Sequence, residues 1–88
     1  MAELTDQTFF IGRLIQEVEA EVLRAQELFR PHISPHESLG IIQEEFEEFK
    51  NEVYRYNFAK GRDTRPAMRK ELIQVAAMAI RAIYDLDL

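Results

Sequence analysis

The 88-residue chain contains no cysteine. That absence excludes a disulfide framework, a thiolate nucleophile and a cysteine-ligated zinc site. It fits a reducing compartment, and a cytoplasmic location is the expectation. No apolar run approaches the roughly 20 residues of a membrane span, so no membrane partner is expected. The opening residues Met1-Ala2-Glu3-Leu4-Thr5-Asp6 lack the basic start and apolar core of a signal peptide. There is no glycine-rich phosphate loop, no GxSxG elbow and no Cys/His nucleophile pair. Positive charge is also scarce: 11 Lys and Arg stand against 16 Asp and Glu, for a formal net charge of −5. A phosphate-backbone binder shows the opposite balance, so nucleic acid is not an expected partner.

What is present reads as one folded domain, residues 1–88. Hydrophobic residues make up 47% and charged residues 31% of the chain, a mixture that supports a core rather than disorder. No repeat, low-complexity tract or linker divides it. Three helices account for most of the sequence. The first is predicted from Thr5 or Asp6 to Phe29, with apolar positions Phe10, Leu14, Val18, Val22, Ala25 and Phe29 every three to four residues. Pro31 ends it, because the residue before a proline avoids the helical region. The second starts clearly: Ser34 as N-cap, Pro35 in the first helical position and Glu37 completing a capping box. Its apolar stripe is Ile42, Phe46, Phe49, Val53 and Tyr56. A turn over residues 59–64 pivots on Gly61. The third helix begins at Thr64 or Arg65, carries Pro66 in its first turn and ends near Asp85.

The stretch Val75-Ala76-Ala77-Met78-Ala79-Ile80 is apolar all the way round, so it should be buried on more than one side. Three helices in a short chain do not readily achieve this. An all-α bundle completed by a second subunit is therefore the expected architecture.

The chemistry-bearing residues lie on the second and third helices. Glu44-Glu45-x-x-Glu48 and Glu71-x-x-Gln74 each group on one helix face, since residues three or four apart are neighbours. Antiparallel packing would bring Glu45, Glu48, Glu71 and Gln74 to one point. An oxygen-only donor set suits Mg²⁺ or Mn²⁺ rather than zinc. A solvated acidic face is the plainer reading of the Glu44–Glu48 run, and a salt bridge to arginine that of Glu71. Two observations weigh the other way. Like charges at this spacing destabilise a helix by about 0.2–0.5 kcal/mol per pair, with Lys50 the main local offset. Glu71 and Gln74 also sit among the apolar positions Met68, Leu72, Val75 and Ala79, where an unpaired carboxylate is unfavourable.

These residues resemble the MazG-like all-α nucleoside triphosphate pyrophosphohydrolases, which carry ExxE on one helix and ExxD on the next. Here the elements are Glu45-Phe46-Glu47-Glu48, preceded by Glu44, and Glu71-Leu72-Ile73-Gln74. The resemblance covers roughly residues 36–86. It implies hydrolysis between the α and β phosphates of a nucleotide, nucleotide-pool house-cleaning, and assembly as a homodimer or homotetramer. It implies Glu45, Glu48 and Glu71 as ligands to Mg²⁺ (or Mn²⁺), with Gln74 in the place of the fourth acid. Glu44 and Glu48 become the candidate catalytic carboxylates, Glu44 by holding a second metal or orienting the attacking water. Arg69, Lys70 and Arg81 are candidate phosphate-binding residues, among which the sequence does not choose. Gln74 departs from the family pattern and lowers the negative charge of the site. A catalytically weak bundle with an oligomerisation or partner-binding role is the alternative, and phosphoribosyl-ATP pyrophosphohydrolase shares the general architecture. Substrate contacts beyond these two helices must come from the first helix or another subunit.

His32 and His36 are four apart, but Pro35 and a helix start intervene, so a shared metal is not expected. Phe9, Phe10, Phe46, Phe49, Tyr54 and Tyr56 have the helical spacing of core residues, with base stacking the less expected use.

Overall fold

The computed structural model describes residues 2–88, with side chains from Asp6 onward. Three α-helices run in chain order: α1 (Ala2–Leu28), α2 (Pro35–Arg55) and α3 (Arg65–Asp85), with a short 3₁₀ turn at Phe58–Lys60. The described residues form no strand beyond a single isolated bridge, Asn57 with Arg62. No helix is long and apolar enough to cross a membrane among the described residues.

The helix boundaries follow from local chemistry. Ser34 caps α2 by accepting the Glu37 N–H at 3.1 Å, ahead of Pro35. The reciprocal half of the capping box is displaced: the Glu37 carboxylate accepts from the Ile33 N–H, at 3.3 Å, and from Arg30. The arginine draws that carboxylate away from Ser34. Gly61 adopts φ 75°, the left-handed conformation that closes the 3₁₀ turn and that glycine reaches without strain. Thr64 precedes α3 but does not cap it; its hydroxyl donates to the Glu52 carbonyl at 2.6 Å and pins the turn to α2.

α3 is the central element and packs against both α2 and α1. Arg69 pairs with Glu17, and Arg81 donates to the Arg30 carbonyl at 2.9 Å, so α1 and α3 run parallel. α2 runs antiparallel to α3. Val22, Ala25, Ala77 and Met78 form the core, with Val18, Ile41 and Ile42 against it. Ala77 is fully covered, and its small side chain lets the helices approach.

The rest of the anticipated core is open. Phe10, Leu14 and Phe29 of the α1 stripe are exposed, as are Phe46, Val53 and Tyr56 of the α2 stripe. Phe9 and Tyr54 are exposed too, and of the six aromatics expected in the core only Phe49 is half-buried. The reason is register. With Glu17 beside Arg69, the first residue of α3, Arg65, falls level with about Arg13 at equal rise per residue, so the earlier turns of α1 have no α3 neighbour. Within the apolar segment of α3, Ala77 and Met78 are buried while Ile80 is exposed.

Candidate functional site

α1 and α2 lean on α3 without packing closely on each other, and the space between them is a cleft of about 710 Å³. Its floor is α3, through Lys70, Glu71, Gln74, Met78 and Arg81. Ile41, Glu44, Glu45 and Glu48 line the α2 side; Glu21, Arg24 and Ala25 line the α1 side.

Antiparallel packing of α2 on α3 brings Glu45, Glu48 and Glu71 together, one oxygen of each within 4.8 Å of the others. Glu45 and Glu71 are half-buried, whereas Glu48 is exposed. Burial first, then the charges of Glu48 and Glu71, push the Glu45 carboxyl up to about 7. Glu71 is also raised, by burial and by Glu48, with Lys70 opposing. One oxygen of Glu71, Oε2, is buried and has no hydrogen-bond partner. The salt bridge to arginine weighed from the sequence is not formed by Glu71. The trio therefore concentrates negative charge faster than the protein compensates it. Near neutral pH it retains a proton, which a carboxylate in water would have lost.

Gln74 lines the same cleft but faces α1. Glu21 is held below the usual carboxylate range chiefly by its hydrogen bond to Arg24, with the nearby Gln74 amide lowering it further. The amide at this position thus matches an acid on α1, where an aspartate would meet like charge. Glu44 lines the cleft and is exposed.

The three basic candidates separate. Lys70 lies in the cleft beside Glu71. Arg69 is on the adjoining groove, engaged by Glu17. Arg81 reaches the far end of the cleft but is buried and serves the fold: it donates to the Arg30 carbonyl and lies 4.0 Å from Asp85. Asp85 in turn accepts the His32 N–H at 2.9 Å. His32 is buried with its Nδ1 2.6 Å from the Ser38 hydroxyl, while His36 is exposed on the first turn of α2. The two histidines do not form a pair.

The sequence left further contacts to the first helix or another subunit without naming residues; those lining the cleft are Glu21 and Arg24 of α1, together with Phe29 and Arg30 just beyond its end. Glu21 and Arg24 flank the stripe positions Val22 and Ala25, and that adjacency was the available signal. No known protein family, curated protein or solved structure matches the chain.

Proposed function

We propose that the cleft is the active site of a metal-dependent nucleoside triphosphate pyrophosphohydrolase acting as a homo-oligomer and releasing a nucleoside monophosphate and pyrophosphate. The observation that supports this most is the convergence of three carboxylates from two helices at the wall of a cleft large enough for a nucleotide. Pockets that hold small ligands span about 300–1,000 Å³.

The donor set fits Mg²⁺ or Mn²⁺. All its atoms are oxygens, one is a buried orphan, and among the described residues none of the three is in a salt bridge. Bound by Glu45, Glu48 and Glu71, the ion would supply Lewis acidity and lower the pKa of a water nucleophile. Glu44, which lines the same side of the cleft, would be the carboxylate that orients an attacking water. Lys70 carries the positive charge nearest the trio, and its role is to hold the phosphate oxygens and offset charge on the departing pyrophosphate. Arg69 and Arg81, committed to Glu17 and to the Arg30 carbonyl, contribute indirectly through the position of α3 and the linker. Arg24 and Arg30 also line the cleft but are paired with Glu21 and Glu37.

Gln74 favours a second reading. Its place beside Glu21 makes the amide part of the packing between α1 and α3, as expected of a bundle that keeps the fold and serves as a binding module. Pyrophosphate release from a panel of ribo- and deoxyribonucleoside triphosphates, with Mg²⁺ or Mn²⁺, distinguishes the two. The hydrolase reading expects release that requires metal and falls at least a hundredfold in Glu48→Ala. Equal, negligible release from both folded proteins at saturating metal overturns it.

A further inference from the structure

We propose that the end of the cleft away from the carboxylate trio is a subsite for the base of the nucleotide, with His32 reading the hydrogen-bonding edge of the base and Phe29 covering its face. This rests on the nucleotide reading of the cleft and adds to it the residues that select the substrate. The cleft changes character along its length. Glu71 and Met78 both line it and are seven residues apart on α3, which puts them on the same side of the helix about 10 Å apart. Around Glu71 the lining is charged, through Glu45, Glu48 and Lys70. Around Met78 it is made by Phe29, His32, Ile41 and Arg81. Phe29 is 60% exposed, so its ring is open to a ligand, whereas His32 and Arg81 are each 3% exposed.

Two atoms at this end have no partner among the described residues: Nε2 of His32 and Nε of Arg81, both buried. Buried polar atoms are almost always paired, so each calls for a group from outside the chain. The rest of each side chain is held in place. His32 Nδ1 lies 2.6 Å from the Ser38 hydroxyl, and a terminal nitrogen of Arg81 donates to the Arg30 carbonyl at 2.9 Å. Arg81 Nε is a fixed donor, and His32 Nε2 takes the role opposite to the one Nδ1 takes with Ser38. A phosphate is a poor match here. Arg81 has Asp85 at 4.0 Å, and Arg30 is paired with Glu37. Burial first, then Arg81, hold His32 below its ordinary value, so the imidazole is neutral near pH 7. What fits is an uncharged planar ring with polar groups along one edge and apolar faces for Phe29, Ile41 and Met78. A nucleobase has that form, and bases are read by the same combination of edge hydrogen bonds and stacking. The sugar then spans the middle of the cleft, and the phosphates reach Lys70 and the trio.

The test is binding of free deoxynucleosides, without phosphate and in chelator, by calorimetric titration. The probes are the four common deoxynucleosides, with the difluorotoluene and methylindole deoxynucleosides, which keep the shape of thymidine and deoxyadenosine but lack strong hydrogen-bonding groups. Wild type should bind at least one natural nucleoside roughly tenfold or more tighter than either analogue, because the analogues leave both nitrogens unpaired. His32→Phe should abolish that preference while keeping the helical spectrum. Phe29→Ala, at an exposed position, should weaken natural nucleoside and analogue alike, by roughly fivefold or more. If His32→Phe does not fold, the imidazole nitrogen resonances of wild type decide: Nε2 should shift with the natural nucleoside and not with the analogues. No binding of any natural nucleoside up to its solubility overturns the proposal. So does equal affinity for the analogues, a preference that survives in folded His32→Phe, or an unmoved Nε2 resonance. Neither metal nor hydrolysis enters these readouts. Nucleoside binding without pyrophosphate release would overturn the hydrolase reading and leave the subsite; release without nucleoside binding would do the reverse.

Discussion

Glu45 shows how one side chain registers the state of its surroundings. Its carboxyl, ordinarily near 4.5, is pushed up to about 7 by burial and by Glu48 and Glu71. The folded protein then holds a proton that the unfolded chain releases more readily. The stability from this group is fully present below pH 4.5 and is lost as pH rises through about 7. In chelator, Glu45→Gln should abolish that loss: urea midpoints at pH 5 and pH 8 should differ less in the variant than in wild type. An unchanged difference would mean that the trio does not hold the proton. Little of this was readable in the sequence. The Glu-x-x-Glu spacing put two carboxylates on one face, but their desolvation depends on α3 lying alongside. Gln74 is a similar case. In the chain it reads as a missing acid; in three dimensions it has Glu21 as neighbour.

Among the helices and turns, the sequence was most informative where a backbone group demanded a particular residue. Ser34 and Pro35 mark the start of α2, and Gly61 marks the turn, because few other residues satisfy those positions. At Gly61 a Cβ would meet no neighbouring atom, yet φ is 75°. Gly61→Ala should therefore destabilise through the backbone alone, by about 1–2 kcal/mol, measurable by chemical denaturation. Gly40→Ala, which is also free of contacts but lies within α2, should be neutral or stabilising, by about 1 kcal/mol at most. The apolar stripes were less faithful. Phe10 and Phe46 have the same periodicity as Val22 and Ile42, and periodicity carries no information about which turns overlap a partner helix. That is a matter of register, set here by pairs such as Glu17 with Arg69.

At the level of the molecule, the three helices are tied together at one end. Arg81, Asp85, His32 and the Arg30 carbonyl join the C-terminal end of α3 to the linker between α1 and α2. Removing the guanidinium in Arg81→Met leaves Asp85 buried without its cation, a loss of about 3–5 kcal/mol. Thermal unfolding should show it as a large fall in melting temperature, well beyond that of an exposed arginine such as Arg55→Met. The all-helical class and the meeting of α2 and α3 at their acids were legible from spacing. This tie was not, because an arginine late in an apolar helix looks the same whether it serves a ligand or a carbonyl.

The absence of close α1–α2 packing has a consequence for what the cleft can accept. α3 serves as the spine of an opened book, with α1 and α2 as its boards. Among the described side chains, the ion pair at the junction of the two boards is that of Arg30, just beyond the end of α1, with Glu37 of α2. Val22 and Ala25 of α1 share the core with Ala77 and Met78 of α3, with Ile41 and Ile42 of α2 against them, whereas the carboxylate trio is carried wholly by α2 and α3. The two sides of the cleft thus differ in kind: one has fixed geometry and demands a particular arrangement of oxygens. The other presents the pair Glu21 and Arg24 beside Ala25, and bears on whatever lies in the cleft without contributing to the trio.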